Sequence, residues 1–129
     1  MLTDSEAFSG FSVDDPERAR RFYEQTLGLR TEDGEGGMFT LRLGGGRGVL
    51  VYPVPTHRPA SYTVLNFPVP DIEAAVDELA SRGVAFATHD GEMGTDERGI
   101  MRHHGPLIAW FQDPAGNTLS IIQTGGAAT

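Results

Sequence analysis

Apolar positions recur along this chain with two periods, and the period-two stretches mark its strands. Residues 108–123 read Ile-Ala-Trp-Phe-Gln-Asp-Pro-Ala-Gly-Asn-Thr-Leu-Ser-Ile-Ile-Gln. Alternation puts Leu107, Ala109, Phe111, Leu119 and Ile121 on one face, and Ile108, Trp110, Gln112, Thr118 and Ser120 on the other. Between the arms, Asp113, Pro114, Gly116 and Asn117 supply the backbone angles of a turn, so the stretch predicts a β-hairpin. Its second face mixes a large aromatic with an amide and hydroxyls, the combination a small-molecule pocket needs. The competing reading of Trp110 is plain core packing.

The same alternation predicts strands at residues 7–13, with Phe11 and Val13 sharing a face, and at 29–32, 38–43, 49–52, 64–69 and 84–87. Period 3.6 takes over twice. Asp15, Pro16 and Glu17 carry the signature of a helix start, Ala19, Phe22, Tyr23 and Leu27 follow at helical spacing, and Gly28 stands where such a helix stops. Asp71 opens a second helix whose apolar face is Ile72, Ala75, Val76, Leu79 and Ala80, ended by Gly83. Residues 53–59, with three prolines, form a linker. The polar stretch 88–105 exceeds the usual length of a connection, and such loops are functional or mobile.

These elements repeat. Phe11, Val13, Asp15, Glu17 and Ala19 recur as Phe67, Val69, Asp71, Glu73 and Ala75, at one constant offset of 56 residues from Phe11 to Phe67. The prediction is an α+β fold of two tandem βαβββ modules, residues 7–54 and 60–123, forming a single domain over 1–129. In residues 64–69 the face left over by Leu65, Phe67 and Val69 carries Val64, Asn66 and Pro68, and in 38–43 it carries Thr40 and Arg42. Together with Trp110, Gln112 and Ser120, these define a candidate concave binding face. For Thr40 and Arg42, an ordinary exposed strand face is the alternative.

Composition narrows the chemistry. The chain has no cysteine, which removes disulfides, thiolate metal sites and a cysteine nucleophile. Its formal charge of −8 offers no basic stripe for a phosphate backbone, so no nucleic-acid partner is expected. The glycines at 44–48 lack both the spacing and the following helix of a dinucleotide site. Neither a signal peptide nor an apolar run near the ~20 residues of a membrane span is evident, so a cytoplasmic protein without membrane contact is expected.

The duplicated unit, its two Val-x-Asp-(Pro/Ile)-Glu helix starts and the Trp-Phe-Gln-Asp-Pro-Ala-Gly-Asn hairpin together resemble the vicinal oxygen chelate superfamily. That superfamily includes glyoxalase I, extradiol dioxygenases, fosfomycin resistance enzymes and bleomycin resistance proteins. The resemblance implies mixed sheets curled around a cavity, usually completed in a homodimer. It also implies metal ligands on the first and last strand of each module, at positions that correspond here to Phe8, Val51, Val64 and Ser120. None of these is a strong donor for a divalent cation. Neither metal nor cofactor is therefore expected, and the four positions become candidate ligand-binding residues instead.

His103 and His104 are adjacent, so on a strand they point oppositely and do not readily share a metal. A solvated loop is one reading, a general base or a cap over the pocket the other. Met93 and Met101 are candidate lid contacts, or ordinary loop packing. No Ser-His-Asp arrangement can be built, and no catalytic residue is assigned. The leading expectation is a metal-independent binding protein that sequesters a partly aromatic small molecule, an antibiotic among the candidates. The alternatives are a lyase, isomerase or dioxygenase of the same superfamily with non-standard residues, and a small dimeric module with a protein partner.

Overall fold

The structure is a computed structural model that describes residues 1–92, 94–103 and 105–124. It divides into two compact units, Met1–Arg58 and Pro59–Thr129, each considered by itself.

In the first unit, strand β1 (Ser9–Val13) leads into helix α1 (Pro16–Arg21), then β2 (Arg30–Asp33), β3 (Phe39–Arg42) and β4 (Gly48–Pro53). The sheet order is β1-β4-β3-β2, with β1 parallel to β4 and the rest antiparallel. Asp15 caps the helix by accepting from the Arg18 N–H at 3.1 Å, and Pro16 occupies the first turn, where its missing N–H costs nothing. The helix is not uniform, however. Residues Phe22–Thr26 widen into a π turn, in which the Leu27 N–H reaches back to the Phe22 carbonyl at 3.1 Å. Tyr23, fully buried, lies there with its ring 6.1 Å from Phe11 and 5.2 Å from Phe22. Aromatic packing thus accompanies the departure from the expected uniform α-helix. Gly28, at φ 73°, ends it as expected.

The second unit repeats the plan. Strand β5 (Thr63–Val69), helix α2 (Ile72–Ser81), β6 (Ile100–Met101), β7 (Ile108–Gln112) and β8 (Thr118–Gln123) form a sheet of order β5-β8-β7-β6. Asp71 caps α2 through the N–H groups of Glu73 and Ala74, and Gln123 at the end of β8 accepts the N–H of Ile72 at 3.0 Å. On one face of the sheet, Ala109, Phe111, Leu119 and Ile121 are buried, and α2 contributes buried Ile72 and Val76.

One strand differs from expectation. Residues 84–87 form no strand: a single backbone bond, Ala87 N–H to the Trp110 carbonyl at 2.8 Å, ties them to β7. The fourth strand is instead Ile100–Met101, whose partners are Ala109 and Ile108. Gly99 lies against the expected strand so closely that a Cβ there would stand 2.7 Å from Phe86 Cβ and 2.9 Å from the Ala87 oxygen.

Candidate functional site

The hairpin turn sets the frame of the second unit's site. Asp113 and Asn117 are buried, and Asp113 Oδ1 accepts the N–H groups of both Ala115 and Asn117 at 2.9 Å. Asn117 Nδ2 returns a bond to Asp113 Oδ2 at 3.1 Å, and Gly116 takes φ 85°. The turn locks the register Trp110↔Ser120 and Gln112↔Thr118, which keeps these four on the face opposite the core.

Trp110 is half-buried and lines a hollow of about 490 Å³. Its indole N–H donates to Thr63 Oγ1 at 3.2 Å. His89 meets the indole edge-on, ring centroids 6.1 Å apart at 69°. Gln112, Thr118, Ser61, Tyr62 and Asp90 complete a polar wall around this aromatic floor, with Ala87 and Phe111 behind. An indole surrounded by hydroxyls, an amide, an imidazole and a carboxylate is suited to holding a flat ring and fixing its orientation.

Thr63 is there because of a β-bulge. Thr63 pairs with Thr118 and Leu65 with Leu119, so Val64 is the extra residue and Thr63 takes the site-facing place that strict alternation assigns to Val64. No local sequence signal marks that bulge. His89 and Asp90, on the long connection, were likewise outside the expected set, their only signal being the length of the loop that carries them.

Several other expected residues lie elsewhere. Phe8, Thr40 and Arg42 line a hollow of the first unit, of about 270 Å³, with Gly48 and Leu50. Val51 is a correction: it pairs with Phe11 and Phe39 and is fully buried on the core side, so the adjacent Leu50 holds the open-face position. Ser120 shares the face of Trp110 but is fully buried, its hydroxyl donating to Asn66 Oδ1 at 2.6 Å. Met101 is buried in the short β6 rather than serving as a loop contact, and His103 is exposed and off the hollow's wall. Met93 and His104 lie outside the described residues.

A model of the Glyoxalase/Bleomycin resistance protein/Dioxygenase superfamily matches residues 8–121. The chain belongs to that superfamily. No curated protein matches it. Among solved structures, this superfamily member is similar to TnmS3, an antibiotic binding protein from Streptomyces sp. CB03234. The two share 27% identity over 95% of this chain and 99% of the other, with TM-score 0.66. A superfamily member from Sphaerobacter thermophilus shares 23% identity over 92% and 97% of the two chains, TM-score 0.65. The fosfomycin resistance protein FosX from Listeria monocytogenes shares the fold, at 10% identity over 95% and 94%, TM-score 0.69.

The superfamily's metal does not fit the donor set here. The positions that resemblance assigns to ligands hold Phe8 and Ser120, with Leu50 and Thr63 in the corrected register, and the hydroxyls of Ser120 and Thr63 are already committed to Asn66 and Trp110. Among the described residues, no three His, Asp or Glu side chains converge.

Proposed function

We propose that this chain is a metal-independent binding protein that sequesters a flat, partly aromatic small molecule, such as an antibiotic, against Trp110. One observation carries this reading. The core face of β7 is already supplied by Ala109 and Phe111, while Trp110 stands on the other face, half-buried in a hollow and oriented by Thr63. Similarity to an antibiotic binding protein supports the ligand class.

The experiment is Trp110→Ala, titrated against a panel of flat polycyclic antibiotics. Affinity is expected to fall by one to two orders of magnitude, about 1.4 kcal/mol per decade. The stability loss should stay well below the roughly 3–5 kcal/mol of a core aromatic. In the parent protein, quenching of the sole tryptophan reports the binding. A large drop in melting temperature with unchanged affinity would return Trp110 to the core and remove the proposal's support.

A further inference from the structure

The chain has no lysine, and the three arginines of its second unit are all engaged with carboxylates of α2 and of the connection before β6. Arg82 pairs with Glu78 at 3.0 Å, Arg98 with Glu73 at 2.9 Å and with Asp77, and Arg102 with Asp96 at 2.9 Å. None of the three lines the Trp110 hollow. The fixed charge in its wall is the Asp90 carboxylate, which is exposed and has no ion pair or side-chain hydrogen bond among the described residues.

Asp90 sits in a loop that closes on itself. His89 is bonded to Thr95 in both directions, with the Thr95 N–H on the His89 carbonyl at 2.8 Å and the His89 N–H on Thr95 Oγ1 at 2.9 Å, and Thr95 is bridged to Met101 of β6. Directly after Asp90 the chain turns at Gly91, which takes φ 92° and accepts the Gly94 N–H at 2.9 Å. These bonds hold the carboxylate in the wall, next in sequence to the His89 ring that meets Trp110 edge-on. Tyr62, 70% exposed, adds a second aromatic ring to the same wall.

We infer that the ligand of this hollow is a cation, a flat aromatic ring that bears a protonated amine. This charge selection rests on the binding role proposed for Trp110 and adds the chemistry that chooses among flat rings. An ammonium finds two attractions there. The indole presents the most negative face of any aromatic side chain, Tyr62 supplies a further one, and the Asp90 carboxylate accepts an N–H of the ammonium as a charge-assisted bond. A neutral ring gains only the stacking. A ring that bears a carboxylate meets like charge at Asp90 and finds no arginine among the described residues of the wall to pair with it. The net charge of −8 favours cations at long range too, but physiological salt screens that field beyond about 8 Å, so selection in the bound state falls to Asp90.

Isothermal titration with 2-naphthylmethylammonium, 2-naphthylmethanol and 2-naphthoate, alike in ring and unlike in charge, tests this. At neutral pH the intact protein should bind the ammonium about tenfold more tightly than the alcohol, with the naphthoate weakest. Asp90→Asn should cut that preference to about twofold, the part left to the aromatic faces. Asp4→Asn, which removes the same charge from an exposed position in the first unit, should leave the preference unchanged. Asp90 is exposed, so its variant should keep the parent's melting temperature. Charge selection by Asp90 is ruled out if none of the three probes binds, if the alcohol or the naphthoate binds as tightly as the ammonium, if Asp90→Asn keeps the full preference, or if Asp4→Asn removes it. The role of Trp110 is judged apart from this: an alcohol bound by the parent and lost in Trp110→Ala upholds it even where the charge preference fails.

Discussion

Thr63 is the residue on which the Trp110 site depends without itself offering much surface. Its hydroxyl accepts the indole N–H, so Thr63→Val replaces an acceptor by a methyl of nearly the same size. The half-buried indole should then turn more freely, with lower fluorescence anisotropy and severalfold weaker ligand binding. The stability cost should stay near the ~1 kcal/mol of one hydrogen bond. Unchanged anisotropy and affinity would show that packing alone orients the ring. The metal positions give a second test at this scale. With Phe8, Leu50, Thr63 and Ser120 at those places, purified protein should contain far less than one Ni, Zn, Fe or Mn per chain, and a chelator should not shift its melting temperature. Stoichiometric metal by elemental analysis would refute that. At the level of single residues, the sequence indicated Trp110 and Gln112 through alternation, but it missed Thr63 and displaced Val51 by one. Bulges and register offsets are settled by the partner strand, which no local pattern records.

Elements were legible where their determinants are local. Both N-caps and the Asp113 to Asn117 turn are short-range arrangements of side chain and backbone, and each was visible in composition and spacing. The π turn at Phe22–Thr26 and the lost strand at 84–87 were not, because the burial of Tyr23 and the approach of Gly99 arise between segments distant in sequence. The turn yields a prediction: Asp113→Ala removes the carboxylate that accepts the buried Asn117 N–H and the part-buried Ala115 N–H and should destabilise by about 1–3 kcal/mol in thermal unfolding. The connection before β6 yields another. Burial opposes ionisation of Asp96, but the N–H of Ile100, the guanidinium of Arg102 and the N–H of Arg98 outweigh it and hold its carboxyl below its usual value. A depressed native value means the stabilisation is complete above the unfolded-state value of about 3.9 and is lost as pH falls through the native one. Hydrogen exchange of the Ile100 amide should therefore stay slow down to about pH 4 and quicken below it. Asp96→Asn should flatten that dependence; a profile unchanged by the substitution would locate the titration elsewhere.

At the scale of the whole molecule, each four-stranded sheet ends on outer strands, β1 and β2 in one unit, β5 and β6 in the other. Outer strands invite pairing, and a two-fold dimer is the expected assembly. Sedimentation showing only monomer at micromolar concentration would count against it. No helix among the described residues is long and apolar enough to cross a membrane. The duplication has a further consequence. Thr40 and Trp110, Arg42 and Gln112, Gly48 and Thr118, Leu50 and Ser120 stand at matching addresses on two copies of one backbone plan. The chain therefore contains its own substitution experiment: four addresses, each occupied by chemically unlike side chains, with the strand pairing intact on both sides. Such a scaffold can exchange one ligand preference for another without having to relearn how to fold.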